Sequence, residues 1–538
     1  MEIPPSRDFR RDPAHRNVRN RTTQVSNGEA KRPSPGCDLG QGSSVEPVKG
    51  GPWLMDTKRR LPKSPLAAAC AASAVALAGF LPGTTATAQS VPRIQHVVVI
   101  YLENHSFDNV LGYWCDANRR RCPDGGMPSS VRLSNGAVVT PSVTPDLIPA
   151  ISHTVASQSA AMNVTRGKPL MNGWQNIQQG QCAAPQYQCI SGYEPGSIPN
   201  ITTLAGQFAI SDMTFSMADS PSWGGHLYAV MGSTDGFSGD NPVIAKGVTP
   251  GPGWGCDSNL VATWLGSHGG SHLEPSCIPD FSLGLPNGGA FEPTPVSYHA
   301  SIFDELDQAR LSWKIYGQAS PGGGPAAGLS GGYSWSICPS LAECLYTHQK
   351  SNLVDNTQFF ADAAAGNLPS LSIVTGGGSN NAVLKSCHNS FLMTSCDDYI
   401  GQLIRAAETG PEWGSTAVFI TFDDFGGFYD QVPPPVSPDY TQEGPRSPLI
   451  IVSPYAKPGF TDTKPATFAG ILAYTEHTFG LGALGPDDNY AYAFSNAFNY
   501  RQVPLKPARM VQRPLPASAK HIHLTEQLLN DPTSECGA

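Results

Sequence analysis

One short apolar segment that ends in two adjacent carboxylates constrains the fold of this chain more than any other feature. Residues 415–422 are rich in β-branched and aromatic side chains, which is typical of a buried strand. Asp423 and Asp424 follow directly, and Gly426-Gly427 then turns the chain away. In an open α/β sheet, ligands bind at the carboxyl ends of the strands. Because adjacent acids repel each other unless a proton or cation neutralises them, the pair is either solvated in a turn or binds a hard divalent metal.

A second apolar segment ends in the same way. Residues 94–102 are almost continuously apolar, the pattern of a strand buried on both faces of a parallel sheet. Glu103 and Asn104 come next, and either Asn104 or Ser106 is suited to cap a following helix. Since parallel strands end at the same edge of a sheet, these side chains can converge with Asp423 on one site. The alternative for Glu103 and Asn104 is an ordinary helix-capping turn.

Strands and helices alternate along the rest of the chain. Further strands are predicted at 208–215, 311–316, 370–375 and 447–453, helices at 201–208, 226–231, 301–309, 397–409 and 467–479, and loops at 115–200, 238–295 and 317–345. The chain is 40% hydrophobic and only 14% charged, with 56 Gly and 49 Pro, which argues against a helical bundle. We therefore predict one large α/β domain with a mostly parallel central sheet and helices on both faces.

The first part of the chain has a different character. Residues 1–54 are polar, Arg-rich and without periodicity, so we expect them to be disordered or to result from a misplaced start site. Residues 55–88 have the basic start, the apolar segment and the small-x-small end of a signal peptide. We therefore expect a mature domain at 89–538, exported to the periplasm or the extracellular space.

Cysteine usage agrees with export. Of the 13 cysteines, 11 follow residue 88, and ten of these form sequence-local pairs at 115/122, 182/189, 256/277, 338/344 and 387/396, with Cys536 left over. Such short spacings predict disulfides that staple long loops in an oxidising compartment. Zinc ribbons are the alternative, although the sequence contains no C-x-x-C.

Charge and hydropathy narrow the range of partners that we expect the protein to bind. Residues 1–88 carry a formal charge of +6 and the whole chain −9, so the mature part carries −15. We do not expect so acidic a protein to bind nucleic acid. After residue 88 no apolar segment is long enough to span a bilayer, so we expect no transmembrane segment there.

A serine precedes one of the predicted helices. Ser222 lies just ahead of the helix at 226–231, which Gly232 is expected to end. A serine in this position is either an N-cap or a nucleophile that the helix dipole assists. The spacing alone favours the N-cap.

Several stretches together resemble one family. The sequence is similar to the bacterial phosphoesterase family that holds acid phosphatases and non-haemolytic phospholipases C, in four segments that cover most of 91–500. The matching segments are 96–108 (HVVVIYLENHSFD), 220–226 (SPSWGGH), 411–415 (PEWGS) leading into 423–430 (DDFGGFYD), and 444–448 (GPRSP). The resemblance implies an alkaline-phosphatase-like α/β fold with long disulfide-stapled loops.

The resemblance also implies roles for individual residues. It implies a divalent metal of unknown identity, held by Glu103, Asn104, Asp423 and Asp424, with Ser222 as the nucleophile. By order along the chain and short context, it implies that His153 and His388 line the phosphate or leaving-group side; the alternative for each is a structural histidine. The family often has Asn at 225 and Glu at 424 and usually His at 431, where this chain has Gly, Asp and Gln. A change at 431 is expected to alter the pH dependence.

These features predict an exported, metal-dependent hydrolase of phosphate esters that works through a phosphoserine. The resemblance implies that the family's longer phospholipases carry extra C-terminal β-rich modules, whereas only a short stretch follows the last matching segment here. The expected substrate is therefore a small phosphate monoester, as for acid phosphatases. The alternatives are a phospholipase C that binds a phospholipid head group and a non-catalytic binding protein on the same fold. A sulfatase would need a C-x-P-x-R-type motif, which the sequence lacks.

Overall fold

The fold is described from a computed structural model. It covers residues 94–177, 182–266, 270–285, 294–321, 332–376, 385–389, 391–435 and 443–514. The strands are β1 His96–Leu102, β2 Val131–Arg132, β3 Val138–Val139, β4 Ser142–Val143, β5 Ser191–Gly192, β6 Ala209–Ser211, β7 Thr214–Met217, β8 Val243–Ile244, β9 Leu260–Leu265, β10 Ser271–Pro275, β11 Trp313–Gly317, β12 Leu353–Asp355, β13 Leu371–Thr375, β14 Thr416–Phe422, β15 Glu443–Arg446, β16 Leu449–Val452, β17 Thr461–Asp462 and β18 Ala466–Thr467. The helices are α1 Phe107–Ala117, α2 Val155–Met162, α3 Pro199–Gln207, α4 Ser222–Met231, α5 Ile302–Ala309, α6 Ala342–Tyr346, α7 Gln358–Ala365, α8 Met393–Thr409, α9 Ala469–Phe479 and α10 Pro486–Tyr490.

The main sheet brings distant parts of the sequence together. Within the described residues it has eight strands in the order β12-β11-β13-β1-β14-β16-β6-β17. The first five are parallel to one another, whereas β16 is antiparallel to both β14 and β6. The two apolar strands singled out in the sequence, β1 and β14, are neighbours at the centre. The predicted α/β class with a mostly parallel sheet is confirmed.

Both faces of the central strands are covered. Every residue of β14 is buried, as is every residue of β1 after His96. Val99 and Tyr101 face α4, α5 and α9, whose side chains line one small apolar cavity with them. Alternate residues of a strand point to opposite faces, so the fully buried Val98 and Ile100 show that the other face is covered as well.

Helix α8 shows how an apolar stripe builds the core. The side chains predicted to share one face are all buried: Tyr399, Ile400, Leu403, Ile404 and Ala407. Helices α3 and α7 pack on α8. The helix begins at Met393, four residues before the predicted start, and ends at Thr409 as predicted.

The structure differs from the sequence-based prediction in several places. The predicted strand at 208–215 is two strands in different sheets, β6 and β7. The predicted loop at 238–295 contains the antiparallel pair β9 and β10, and the loop-like region 115–200 contains the helix α2. These elements lie among Gly, Pro and Cys residues, where local periodicity is weak and tertiary contacts decide the conformation.

All five expected disulfides are present: Cys115–Cys122, Cys182–Cys189, Cys256–Cys277, Cys338–Cys344 and Cys387–Cys396. The long loops are therefore stapled as the cysteine spacing predicts, and the zinc-ribbon alternative is wrong for these pairs. Cys536, the predicted disordered segment 1–54 and the predicted signal peptide 55–88 lie outside the described residues. Among the helices of the described part of the chain, none has the length and apolarity needed to cross a bilayer.

Candidate active site and metal centre

The ends of β1 and β14 place four polar side chains at one edge of the sheet. Leu102 and Phe422 are paired in register, so Glu103 and Asn104 emerge beside Asp423 and Asp424. All four side chains are at most 1% exposed. The backbone N–H of Asn104 donates to Asp423 Oδ1 over 2.8 Å, which links the two strand ends directly. The predicted convergence of the two strand ends is confirmed as geometry.

A glycine turn after β14 makes this convergence possible. Gly426 has a φ of +62°, and a Cβ atom there would lie 1.9 Å from the carbonyl oxygen of Asn104. The N–H of Gly426 donates to Asp424 Oδ1 over 2.7 Å, so the turn also orients that carboxylate. Asn104 itself has a φ of +64°. The helix cap is Ser106, whose hydroxyl accepts from Asn109 N, so the capping alternative for Asn104 is wrong.

Ser222 faces the acids from the start of α4. It is the first helical residue rather than a residue ahead of the helix, and its Oγ lies 3.3 Å from Asp424 Oδ2 and 3.4 Å from Asn104 Oδ1. The helix is capped instead by Asn241, whose Oδ1 accepts from Trp223 N over 2.9 Å. The N-cap alternative for Ser222 is therefore wrong, and its hydroxyl is directed to the four polar side chains.

The two predicted histidines lie at the same place. His153 Nε2 is 3.9 Å from Asp424 Oδ2, and its Nδ1 is 2.8 Å from the carbonyl oxygen of Ile151. His388 stacks on Trp335 with ring centroids 5.6 Å apart, and its own centroid is 6.3 Å from that of His153. Both rings are at most 2% exposed. The structure thus brings together every residue to which the resemblance gives a role in metal binding or catalysis.

The side-chain amide of Asn104 is compatible with a cation in one of its two orientations. With Oδ1 toward the acids, this oxygen lies 3.1–3.3 Å from four carboxylate oxygens of Asp423 and Asp424. Close contact between an amide oxygen and four other acceptor oxygens is favourable only when a cation lies among them. Without a cation, the amide is better turned over, so that its nitrogen donates to the acids and its oxygen accepts from His388 Nε2 at 2.9 Å. The carboxylate and amide oxygens are donors that Mg²⁺, Mn²⁺ and Ca²⁺ prefer.

The electrostatics of the acids point the same way. Burial raises the pKa of Asp423, and the charge of Asp424 raises it further, whereas His226 opposes this shift. Buried like charges are costly unless a positive charge compensates them. A divalent cation among the acids would supply that compensation.

His226 is a site residue that the sequence-based prediction did not identify. It lies on α4, one turn after Ser222, and its Nε2 is 3.2 Å from Glu103 Oε1. Glu103, His226 and Asp423 each offer one ligand atom, and these atoms lie within 4.8 Å of one another. Burial lowers the pKa of His226 to about 4. The signal was present in the sequence, because residues at i and i+4 share one face of a helix.

An arginine holds the two acid-bearing segments together from behind. Arg446 is 1% exposed in its side chain, and its Nη2 is 3.0 Å from Asp108 and its Nε 2.8 Å from Asp430. Its Nη1 donates to the carbonyl oxygen of Asp212 over 2.8 Å. Burial and the neighbouring Asp430 raise the pKa of Asp108 to about 8, against the attraction of Arg446. Asp108 ends the 96–108 segment and Asp430 the 423–430 segment, so this contact fixes the segments that carry the acids.

The structure shows the surroundings of two residues at which this chain differs from the family it resembles. A Cβ atom at Gly225 would lie 3.2 Å from the Asp423 carbonyl oxygen and 3.4 Å from Tyr101 Oη. Glycine therefore lets α4 approach the end of β14 closely. Gln431 contacts Gly126 and Asp108, through its Nε2 and its backbone N–H respectively. The expected effect of Gln431 on pH dependence stays a prediction.

Comparison with known proteins identifies the family. A model of the Phosphoesterase family matches residues 94–482, and the chain belongs to this family. It is 24% identical over 447 residues to the non-specific phospholipase C1 of Arabidopsis thaliana, covering 76% of this chain and 72% of that protein. It is 23% identical over 475 residues to the non-hemolytic phospholipase C of Burkholderia pseudomallei, covering 77% of this chain and 58% of that protein. The predicted class, a hydrolase of phosphoric esters, is confirmed.

One solved structure has a distant likeness to this chain. The chain is similar to a protein in the alkaline phosphatase superfamily from Vibrio parahaemolyticus, with 13% identity and a TM-score of 0.28, over 54% of this chain and 62% of that one. At such a TM-score the likeness supports no statement about the site. The roles of individual side chains therefore rest on the geometry described above.

Proposed function

We propose that this protein hydrolyses small phosphate monoesters with the help of a divalent metal, through a phosphoserine at Ser222. The observation that carries this proposal is the position of Ser222 Oγ, 3.3 Å from Asp424 and 3.4 Å from Asn104. A hydroxyl at the positive end of a helix, directed at a buried acidic cluster, is suited to attack an anionic substrate once a cation neutralises the cluster.

Glu103, Asn104, Asp423 and Asp424 would hold the metal. When bound, it would offset the charge of the phosphoryl oxygens and lower the pKa of the Ser222 hydroxyl. The acids supply only oxygen ligands, which favours Mg²⁺, Mn²⁺ or Ca²⁺.

The protein's own residues then account for the two displacements. Ser222 Oγ forms a bond to phosphorus as the bond to the leaving oxygen breaks, and Asp424 Oδ2 is the acceptor nearest to the serine proton. His153 and His388 donate to phosphoryl oxygens or protonate the leaving oxygen. In the second displacement, water attacks phosphorus, the Ser222–phosphorus bond breaks, and inorganic phosphate and the free serine are released.

The enclosure of the site supports a small substrate. The acids, Ser222 and both histidines are all at most 2% exposed. A second candidate is a phosphodiester, because the relatives at 24% and 23% identity are named as phospholipases C. That substrate would bring a phospholipid head group to the same nucleophile. The disulfides support export to an oxidising compartment in either case.

Hydrolysis of paired chromogenic substrates tests the proposal. The purified protein is assayed with p-nitrophenyl phosphate and p-nitrophenyl phosphorylcholine, each with and without chelator and across pH. We expect turnover of the monoester that chelator abolishes and that Mn²⁺ or Mg²⁺ restores. Preference for the diester would favour the phospholipase C candidate. Absence of turnover with every divalent metal would favour a binding protein on the same fold.

Ser222→Ala isolates the nucleophile. We expect this variant to lose turnover while it still binds Mn²⁺, because the serine oxygen is not among the four proposed ligands. A matched control is Ser216→Ala, since Ser216 is equally buried but bonds to the carbonyl oxygen of Pro445 on another sheet. Unchanged turnover by Ser222→Ala would remove Ser222 from the mechanism.

A further inference from the structure

One histidine reaches the acidic cluster from α4. Nε2 of His226 lies 3.2 Å from Glu103 Oε1, and one ligand atom each from Glu103, His226 and Asp423 lie within 4.8 Å of one another. All three side chains are at most 2% exposed. Two ligands that are each bonded to one ion at about 2.1 Å lie about 3.0–3.4 Å apart. The separation of Nε2 and Oε1 is therefore that of two ligands of a common ion.

The ring nitrogens of His226 are not used in hydrogen bonds. Among the described residues, neither Nδ1 nor Nε2 has a hydrogen-bond partner. Nε2 has none although Glu103 Oε1 is only 3.2 Å away, so this oxygen does not lie where an Nε2–H would point. A buried imidazole nitrogen without a partner is unfavourable. A cation beside Nε2 would engage the lone pair of that nitrogen.

The position of His226 is built into the packing of α4 on the sheet. A Cβ atom at Gly225 would lie 3.2 Å from the carbonyl oxygen of Asp423, so the glycine lets the helix approach the end of β14. On β1, two residues before Glu103, Tyr101 donates from its hydroxyl to the carbonyl oxygen of Gly225 over 3.0 Å. The ring of Tyr101 lies against that of His226, with centroids 5.2 Å apart. Both strands that carry the acids thus help to hold this histidine beside them.

We propose that His226 is a metal ligand, which binds an ion through Nε2 together with Glu103 and Asp423 and makes the site selective for transition metals. Imidazole suits ions such as Zn²⁺, whereas Mg²⁺ and Ca²⁺ prefer oxygen ligands. The inference rests on the proposed function, because Glu103 and Asp423 belong to the metal site assigned there. Ser222 lies one turn before His226 on α4, so one helix carries both the nucleophile and a ligand.

The competing role for His226 is to donate a hydrogen bond to Glu103 without touching the ion. That role needs the carboxylate oxygen in line with an Nε2–H, which the structure does not show. A ligating histidine almost always donates from its other nitrogen, and Nδ1 has no acceptor among the described residues. We therefore expect a weaker metal bond than a histidine with a bonded Nδ1 would make. A measurement that detects nitrogen on the ion distinguishes the two roles.

Pulsed electron paramagnetic resonance of the Mn²⁺-loaded protein makes this measurement, because it detects the magnetic coupling of the ion to a directly bonded nitrogen. We expect the coupling in the wild type and its loss in His226→Phe and His226→Gln. The control is His96→Phe, which should keep the coupling. His96 also faces a glutamate, with Nε2 3.5 Å from Glu412 Oε1, but at the other end of β1.

Calorimetric titration of the metal-free protein with Zn²⁺ and Mg²⁺ tests the selectivity. His226→Phe should weaken Zn²⁺ binding by about 10-fold. Mg²⁺ binding, which depends on the oxygen ligands, should stay nearly unchanged. His226→Gln can still donate an N–H but offers no imidazole nitrogen, so it should lose the preference for Zn²⁺ as His226→Phe does.

The failure of this inference is distinct from a failure of the proposed function. Wild-type protein that hydrolyses p-nitrophenyl phosphate but shows no nitrogen coupling would overturn the ligand role alone. So would recovery of Zn²⁺ binding in His226→Gln, which would establish the donor role. Nitrogen coupling without any turnover would support the ligand role and overturn the proposed hydrolysis. A melting temperature measured in chelator shows that each variant is folded.

Discussion

The buried arginine behind the site provides a stringent test of the packing argument. Arg446 donates to Asp108 over 3.0 Å and to Asp430 over 2.8 Å, and all three side chains are at most 1% exposed. Replacing it with methionine, which is similar in length but uncharged, leaves the buried Asp430 carboxylate without a compensating charge. Removing one partner of such a buried pair costs about 3–5 kcal/mol.

This free energy converts into a measurable melting temperature. The entropy of unfolding is about 2.1 cal/mol/K per residue, or roughly 0.8 kcal/mol/K for a folded part of about 400 residues. The loss in Arg446→Met should therefore lower Tm by about 4–6 °C at neutral pH. Differential scanning fluorimetry in chelator measures this change apart from any effect of bound metal.

A matched variant separates this effect from the loss of any arginine. Arg405 is exposed on α8, so Arg405→Met should change the free energy of unfolding by less than about 0.5 kcal/mol. A Tm for Arg446→Met within 1 °C of wild type, about the size of the control's shift, would refute the claim that this arginine compensates buried acids. Arg446→Lys, which has a single charged nitrogen, should lie between Arg446→Met and wild type.

Three further perturbations test other parts of the structure. Because the folded pKa of Asp108 is raised to about 8, its contribution to stability is present at low pH and lost as pH rises through 8; in Asp108→Asn, Tm should fall less over this range, and an unchanged pH profile would contradict the assignment. Gly426→Ala should lower both Tm and Mn²⁺ affinity, since its Cβ would lie 1.9 Å from Asn104 O, whereas Gly414→Ala meets nothing within 4 Å and should do neither. Asn241→Ala should lower the free energy of unfolding by about 1 kcal/mol, as for a lost helix cap, and should lower kcat by displacing Ser222. Urea unfolding measures the first effect and initial rates the second. Wild-type values in both would exclude this capping role.

The edge of the sheet could be predicted from sequence because strong local patterns define it. The segments that end at Leu102 and Phe422 are almost continuously apolar, which is typical of central strands, and the carboxyl ends of neighbouring parallel strands lie at one edge of the sheet. The cysteine pairs were predictable for a similar reason, since neighbours in sequence are rarely far apart in space. The acids at the strand ends and the stapled loops follow from these patterns.

The remaining features depend on how elements rotate and dock. Whether Ser222 caps α4 or faces the acids is decided by Asn241, which lies beyond the helix and supplies the cap instead. The contact of His226 with Glu103 requires a particular rotation of α4 against the sheet, which no local pattern specifies. Among the described residues, the strands β9 and β10 pair with each other and β9 with the short strand β8, in a region rich in Gly and Pro where propensity is a weak guide.

The pairing of β1 with β14 also determines the stage of synthesis at which the site at the edge of the sheet can form. Asn104 and Asp423 bond directly although they are 319 positions apart, so most of the polypeptide must be made before the two halves of the site can meet. A product that terminates before residue 423 lacks both aspartates and cannot form the proposed site. Such long-range closure also slows folding. The proposed activity therefore requires translation at least through residue 424.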